Sequence, residues 1–596
     1  MFKNHPKGLI IAFFTNMGER FGFYTMMAIL VLFLQAKFGL SAEKAGDIYS
    51  WFYFSIYALA LVGGILADAT HRYKTVILSG LIIMFAGYLL MAIPDMTLGI
   101  TIVGLLIIAF GNGLFKGNLQ AVVGQLYDNP EYSKHRDNAF MIFYMGINIG
   151  AFFAPFAATG MRNGWLKFNG FAHDGSLPAL CHQFLNGTLT DISTFKQLAN
   201  NVSLLEPVND LTLFANNYLD IFSKGYNYAF GIAAGAMLIS LLIYVIFNRL
   251  LPEKQKSASV NATEKIEFRI VPLIAAIIAM FVIAYGLHFI PQIGWATGFA
   301  FGLFAAFITW IILSSKKEER DRVVALVLVF IVVVFFWMSF HQNGLTLTLF
   351  ARDYTVKQVG RFTNLFFTLP SILAVIGSIA GLVILLQKKV GRNSRTAGSI
   401  LLIISLVGTI FLFRGFDDTN SISPEIFQSF NPLFIVALTF PLMGLFSWLN
   451  KKGIEPSTPK KIGLGMIVAS AGFIILLIAS LDLVSPRLLQ GSPVPDSSRV
   501  SPYWLISSYL VLTIAELFLS PMGLSFVSQV APSRFQGLMQ GGWLLATAVG
   551  NKLLFVGTLL WDRVNLWQLW FVFIVCCLAS AAFIFSILKR LENVSK

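Results

Sequence analysis

Residues 16–24 read Asn16-Met17-Gly18-Glu19-Arg20-Phe21-Gly22-Phe23-Tyr24, and the tandem charges Glu19 and Arg20 sit inside an apolar run that extends from about residue 7 to 36. A charge at the centre of a bilayer costs at least a few kcal/mol, so such a pair must face a polar interior and by default marks a substrate or ion pathway. The surrounding chain is built for a membrane. Of its 596 residues 56% are hydrophobic and only 12% charged, too little polar surface to cover a soluble globule of this size. The formal charge of +14 does not point to nucleic acid, because the Lys and Arg cluster in short loops between apolar runs.

Apolar stretches long enough to cross a bilayer fall near residues 7–36, 45–67, 75–94, 98–126, 138–160, 225–249, 270–289, 293–313, 323–350, 363–387, 397–414, 431–449, 462–482, 502–529, 535–560 and 567–589, sixteen in all. The first lacks a small-residue cleavage signal and reads as a spanning helix, not a signal peptide. With the N-terminus inside, the basic clusters share the cytoplasmic side: His71-Arg72-Tyr73-Lys74, Lys134-His135-Arg136, the 249–269 linker, Lys316-Lys317 with Arg320 and Arg322, Lys388-Lys389 with Arg392 and Arg395, Lys451-Lys452 with Lys460-Lys461, and Lys589-Arg590. Both termini then lie in the cytoplasm of a multi-pass plasma-membrane protein. The expected division is an N-terminal six-helix bundle over 1–249, with an outward-facing insert at 161–224, a linker with an extra transmembrane hairpin over 250–322, and a C-terminal six-helix bundle over 323–596, with a hairpin inserted at 363–414. Both hairpins hold two helices, so neither inverts the core, and both are expected to pack outside it. Cys181, Cys576 and Cys577 offer neither a disulfide framework nor a metal cluster.

Gly63-Gly64-Ile65-Leu66-Ala67-Asp68, with Arg72 and Lys74 after it, combines glycines that let helices approach closely with a charge cluster at a helix end. It resembles the loop signature of the major facilitator superfamily, which makes Asp68 and Arg72 candidate gate residues; plain packing and topology are the alternative. Residues 16–24 resemble the first-helix signature of the proton-coupled oligopeptide transporter (POT) family within that superfamily. Gly111-Asn112-Gly113-Leu114-Phe115-Lys116-Gly117-Asn118, Phe143-Tyr144-Met145-Gly146-Ile147-Asn148-Ile149-Gly150, Gln428-Ser429-Phe430-Asn431-Pro432-Leu433-Phe434, Glu455-Pro456-Ser457-Thr458-Pro459-Lys460 and Glu516-Leu517-Phe518-Leu519-Ser520-Pro521-Met522-Gly523-Leu524 are similar to further patterns of that family, in order, with Gly541-Gly542-Trp543 and Gly550-Asn551 after them.

The chemistry of these residues agrees with that resemblance. A short peptide is a zwitterion with an amide backbone, so a mid-membrane site needs cations at one end and an anion at the other. Arg20 supplies a planar fork and Lys116 a movable point charge for a carboxylate, and Glu516 an anion for an ammonium. Asn148 and Asn431 can donate and accept, Tyr24 and Tyr57 carry hydroxyls on aromatic bodies, and Trp543 offers a wall. By resemblance these eight positions line the family's peptide site, and Ser520 is placed with them. Each also has a plainer reading: Arg20 as a structural knot with Glu19, the asparagines as interhelical glue, Tyr57 and Trp543 as packing.

Two departures bear on mechanism. Asn16 stands where the signature has its first Glu, leaving Glu19 as the carboxylate of that face. His341 stands where a Glu is typical and Met27 where an Arg is, so the familiar salt bridge between the halves is missing at both ends, as electrostatics requires if no buried charge is to be stranded. The resemblance implies a proton-coupled symporter importing di- and tripeptides by alternating access, with Glu19 and His341 as proton-coupling residues, no cofactor beyond the proton, no enzymatic chemistry and a functional monomer. A same-fold carrier of another small amphoteric or anionic solute and a peptide-binding nutrient sensor are the competing readings.

Overall fold

The structure, a computed structural model, describes residues 5–128, 130–133, 135–252, 270–291, 293–387, 391–489 and 492–595. Lys134, Lys388-Lys389 and residues 253–269 of the linker lie outside the described residues. Among the described residues, sixteen helices are long and apolar enough to cross a membrane: α1 (Lys7–Phe38), α2 (Ala42–Thr70), α3 (Tyr73–Ala92), α4 (Leu98–Gln125), α5 (Arg136–Phe168), α6 (Leu211–Phe247), α7 (Ile270–His288), α8 (Trp295–Ser314), α9 (Arg320–Phe340), α10 (Leu369–Leu386), α11 (Arg392–Gly415), α12 (Phe430–Lys451), α13 (Thr458–Ala479), α14 (Pro502–Val530), α15 (Gln536–Lys552) and α16 (Leu566–Ser586). In lipid every backbone polar group must be satisfied within the segment, which leaves a chain of this composition helices and little else.

The turns between helices follow from local chemistry. Gly39 ends α1 in the left-handed region at φ 62°, its N–H reaching the Gln35 carbonyl, and two residues later the Ser41 hydroxyl accepts from Lys44 N–H to begin α2. Of the paired glycines only Gly63 is crowded: a Cβ there would collide with the Gly113 backbone of α4, whereas one on Gly64 would meet nothing within 4 Å. Close approach of α2 and α4 explains the first glycine and leaves the second unexplained.

Helices α1–α6 pack as one bundle, and α9 with α12–α16 as a second. The halves meet along α2 against α15 and α5 against α12. Hairpins α7–α8 and α10–α11 pack chiefly on themselves and keep most of their side chains exposed, the disposition of lipid-facing elements.

Two boundaries differ from the sequence reading. The insert expected at 161–224 is shorter, because α5 runs on to Phe168 and α6 already begins at Leu211. Hydropathy falls at Arg162 and Asn163 although the helix continues, since partners in the folded protein satisfy both side chains. Between them, helices at Leu177–Leu185 and Ile192–Val202 form a cap over α1 and α6, closed by a bridge between Phe171 and Ser203. The apolar run 323–350 is likewise not one helix. It breaks after Phe340 into a 3-10 turn, His341–Gly344, before a short helix, Thr346–Tyr354.

Beyond that break, β1 (Gln358–Val359) pairs antiparallel with β2 (Asn420–Ser421), joining the chain before α10 to the chain after α11. Thr355 bridges to Val500 in parallel. These loops of the C-terminal half thereby form one hydrogen-bonded platform on the same face as the cap.

Candidate functional site

Helix α1 carries Glu19 and Arg20 into the core of the N-terminal bundle, where they are 0% and 4% exposed. Arg20 Nε lies 2.5 Å from Glu19 Oε2 and Nη2 2.6 Å from Oε1, and Asn112 Nδ2 of α4 donates to Glu19 Oε1 at 2.7 Å. This is the bidentate pairing expected of a structural knot. Glu19 thus accepts from two nitrogens of one guanidinium and from one neutral amide. Asn112 lies four residues before Lys116 on one helix, a spacing that puts it one turn away.

Lys116 is half-buried and makes no ion pair among the described residues; its Nζ stands 4.0 Å from the centroid of the Tyr57 ring. Tyr57 thus holds the ammonium by its π face. Tyr24 is half-buried on α1, its ring centroid 5.2 Å from that of Phe23. On α14, Glu516 accepts from Asn431 Nδ2 at 2.9 Å, and the same amide donates to Thr513 Oγ1 at 3.0 Å. Glu516 has no cationic partner among the described residues. Asn148 donates to the Tyr144 carbonyl of its own helix at 3.0 Å, a back-bond that leaves its oxygen available. Trp543 is buried on α15 and lies against Gly523 of α14, where any Cβ would occupy the ring's place. Ser520 is half-buried one turn beyond Glu516.

His341 is buried at the break after α9. Its Nδ1 donates to Asn551 Oδ1 at 2.5 Å, which makes Nε2 the basic nitrogen of the neutral ring. The ring stacks on Trp337, with centroids 4.5 Å apart, and meets Tyr53 of α2 at 4.6 Å. Where the resemblance implies an ionic contact between the halves, this chain has an aromatic one. Met27 and Asn16 are both buried.

The candidate gate residues are not brought together as an ion pair. Asp68 accepts from the Tyr73 hydroxyl across the turn, and Arg72 is exposed at the start of α3. Charges that no motif marks are paired instead, on the cap side. Arg162 of α5 and Glu425, both 0% exposed, form an ion pair between the halves, with Tyr226 and Ser423 as further partners. Lys552 at the end of α15 pairs with Asp47 of α2 at 2.5 Å, Arg563 with Glu43 at 2.8 Å, and Lys357 with Asp174 of the cap at 2.5 Å. One signal was available: Arg162 is a lone cation late in an apolar run, and such a residue needs a partner.

The known proteins most useful for comparison are transporters. Residues 73–390 and 404–564 match the family model described as the POT family. The chain is 28% identical over 564 residues to Peptide transporter YePEPT of Yersinia enterocolitica subsp. palearctica, covering 92% of this chain and 87% of that one. It is 25% identical over 549 residues to dipeptide and tripeptide permease A of Escherichia coli (strain K12), covering 92% and 82%. Two solved structures align with it at a TM-score of 0.65: a peptide transporter POT in complex with sulfate, 24% identical, covering 100% of this chain and 96% of that one, and a POT family transporter in complex with 5-aminolevulinic acid, 22% identical, covering 100% and 98%. At those identities the structural likeness speaks to the fold alone. Together with the family match it makes the chain a multi-pass membrane transporter, not an enzyme, and a member of the POT family.

Proposed function

We propose that this transporter imports di- and tripeptides together with protons across a bacterial inner membrane, working as a monomer with both termini in the cytoplasm. The observation that carries the reading is a pair of complementary charges without ionic partners among the described residues: the Lys116 ammonium in the N-terminal half and the Glu516 carboxylate in the C-terminal half. A zwitterion spanning the halves supplies what each lacks, its carboxylate for Lys116 and Arg20 and its ammonium for Glu516. Asn148, Asn431 and Ser520 serve the amide backbone, Tyr24, Tyr57 and Trp543 its side chains.

Glu19 is the proton-exchanging group in this reading. Substrate carboxylate at Arg20 competes with Glu19 for the guanidinium, and loss of that donor favours a protonated Glu19. Proton and peptide affinities are then linked reciprocally, while His341 modulates from the far side. The names of the two relatives, a peptide transporter and a dipeptide and tripeptide permease, support this substrate class.

Proteoliposome uptake of a dipeptide, a tripeptide and a free amino acid, with and without an imposed pH gradient, tests it. Peptide accumulation driven by the gradient is expected. Uptake of the amino acid alone would favour the other amphoteric solute, and saturable binding without uptake a sensor. Reporter fusions after residues 190 and 420 should read outside and those after 260, 392 and 455 inside.

A further inference from the structure

The cap between α5 and α6 holds the two halves of the molecule in different ways. Toward its own half the contact is apolar and buried: Phe171 meets Phe214 and Tyr218 of α6, Phe195 meets Phe214, and Leu177, Leu180 and Val202 are buried in the same apolar cluster. His182 Nε2 adds a hydrogen bond of 2.8 Å to the Ala36 carbonyl at the end of α1. Contact of this kind does not part and re-form within a transport cycle, so the cap moves as a piece of the N-terminal half.

Toward the other half the contact is polar. Lys357 Nζ reaches Asp174 Oδ2 at 2.5 Å, Oδ1 at 2.7 Å and Ser176 Oγ at 2.8 Å, and Thr190 Oγ1 lies 3.1 Å from Ser492 Oγ. Between these contacts lies a cavity of about 640 Å³, bordered by Asp174, Ser176 and Thr194 on the cap and by Arg352, Lys357 and Gln358 opposite. Groups around such a space rehydrate when the surfaces separate. Lys357 is set on the stitched platform of the C-terminal half, its carbonyl accepting from Ile422 N–H at 3.0 Å and the N–H of the preceding residue, Val356, donating to the Val500 carbonyl at 3.0 Å. A few residues beyond Ile422, Glu425 receives Arg162.

We propose that the cap is an outer latch: it rides on the N-terminal half, fastens to the C-terminal platform through Asp174–Lys357 alongside Arg162–Glu425, and must release on each turn for the outer face to open. The latch stands in for the ionic contact missing at Met27 and His341. The proposal rests on the alternating-access reading above.

A reversible cross-link tests it. In a background with Cys181, Cys576 and Cys577 replaced by Ala, Thr190→Cys with Ser492→Cys can be oxidised to a disulfide joining cap and platform. Peptide uptake should fall at least about 10-fold on oxidation and return on reduction, while each single-cysteine control stays unchanged. Full uptake with the disulfide formed would overturn the latch and leave the transport reading standing; no uptake even in the reduced form would instead count against that reading. Should the background fold poorly, a charge exchange in the otherwise native chain provides a second route. Asp174→Lys alone should raise maleimide labelling of Thr355→Cys, which is buried on the outer face, and adding Lys357→Asp should lower it again. Unchanged labelling in the single variant would also overturn the proposal.

Discussion

The two ends of the interface between the halves handle charge in opposite ways. On the cap side, ion pairs cross the interface: Arg162–Glu425, Lys552–Asp47, Arg563–Glu43 and Lys357–Asp174. On the basic side, charged groups among the described residues find partners within their own half. Lys461 pairs with Glu455, Arg590 with Asp321 and Arg136 with Asp128, and the Ser457 hydroxyl reaches Glu592. Among the described residues, ion pairs between the halves therefore lie at the cap end; in the orientation proposed above, that fastens the outer end and leaves the cytoplasmic end free to part.

Substitutions at the site between the two ends should have the largest effect. Arg20→Gln should cut uptake about 100-fold or more, since it strands the buried Glu19 carboxylate at a cost of ~3–5 kcal/mol, and Lys116→Gln about 10- to 100-fold, since it removes a charged contact to the substrate carboxylate of ~1.5–3 kcal/mol. Transport near wild type in both variants would show that the cations of the N-terminal half do not receive substrate.

Arg162→Met comes next. It strands Glu425 in a fully buried position, with an expected penalty of ~3–5 kcal/mol borne by the outward-closed state, whereas adding Glu425→Leu should recover most of it. Spin-label distances across the cap side should lengthen in the single variant and return in the double. Equal behaviour of the two would break the contrast between the ends.

Glu19→Gln should abolish proton-driven accumulation while exchange of peptide persists, and His341→Gln should reshape the pH profile of uptake without removing it. Accumulation that survives in Glu19→Gln would move the coupling site to the aromatic contact of Tyr53, His341 and Trp337.

Asp174 sharpens the comparison through pH. Burial pushes its carboxyl up, but the Lys357 ammonium and the hydrogen bonds from Ser176 outweigh that and hold it at about 2. Its folded value lies below that of a free carboxylate near about 3.9. The stability it contributes is therefore fully present above about pH 4–5 and is lost as the pH falls through about 2. The melting difference between wild type and Asp174→Asn should stay constant between pH 7.5 and 5; a difference that fades there would make the latch itself a proton sensor.

Arg563→Gln should have the smallest effect. Both members of the Arg563–Glu43 pair are about half exposed, and such pairs contribute ~0.2–1 kcal/mol. A loss of uptake comparable to that of Arg162→Met would mean that exposure is no guide to which outer pairs matter.

What the sequence determined by itself is tied to the membrane. Helix number follows because bilayer thickness sets a length for each apolar run, and the burial of Glu19 and Arg20 follows because charge in hydrocarbon must face inward. The ordered motifs single out Lys116, Asn431 and Glu516 as candidates. Tertiary structure alone decided the partners. Nothing local announces that Arg162 meets Glu425, 263 positions away, or that Asp174 meets Lys357. Hydropathy even ended α5 too early, because it scores Arg162 as exposed when its charge is neutralised inside the fold. The break at His341 was equally silent: an apolar run carries no mark of where a helix stops when the freed backbone groups are satisfied by residues from another helix, as the Asn343 carbonyl is by the Tyr509 hydroxyl of α14 at 2.6 Å.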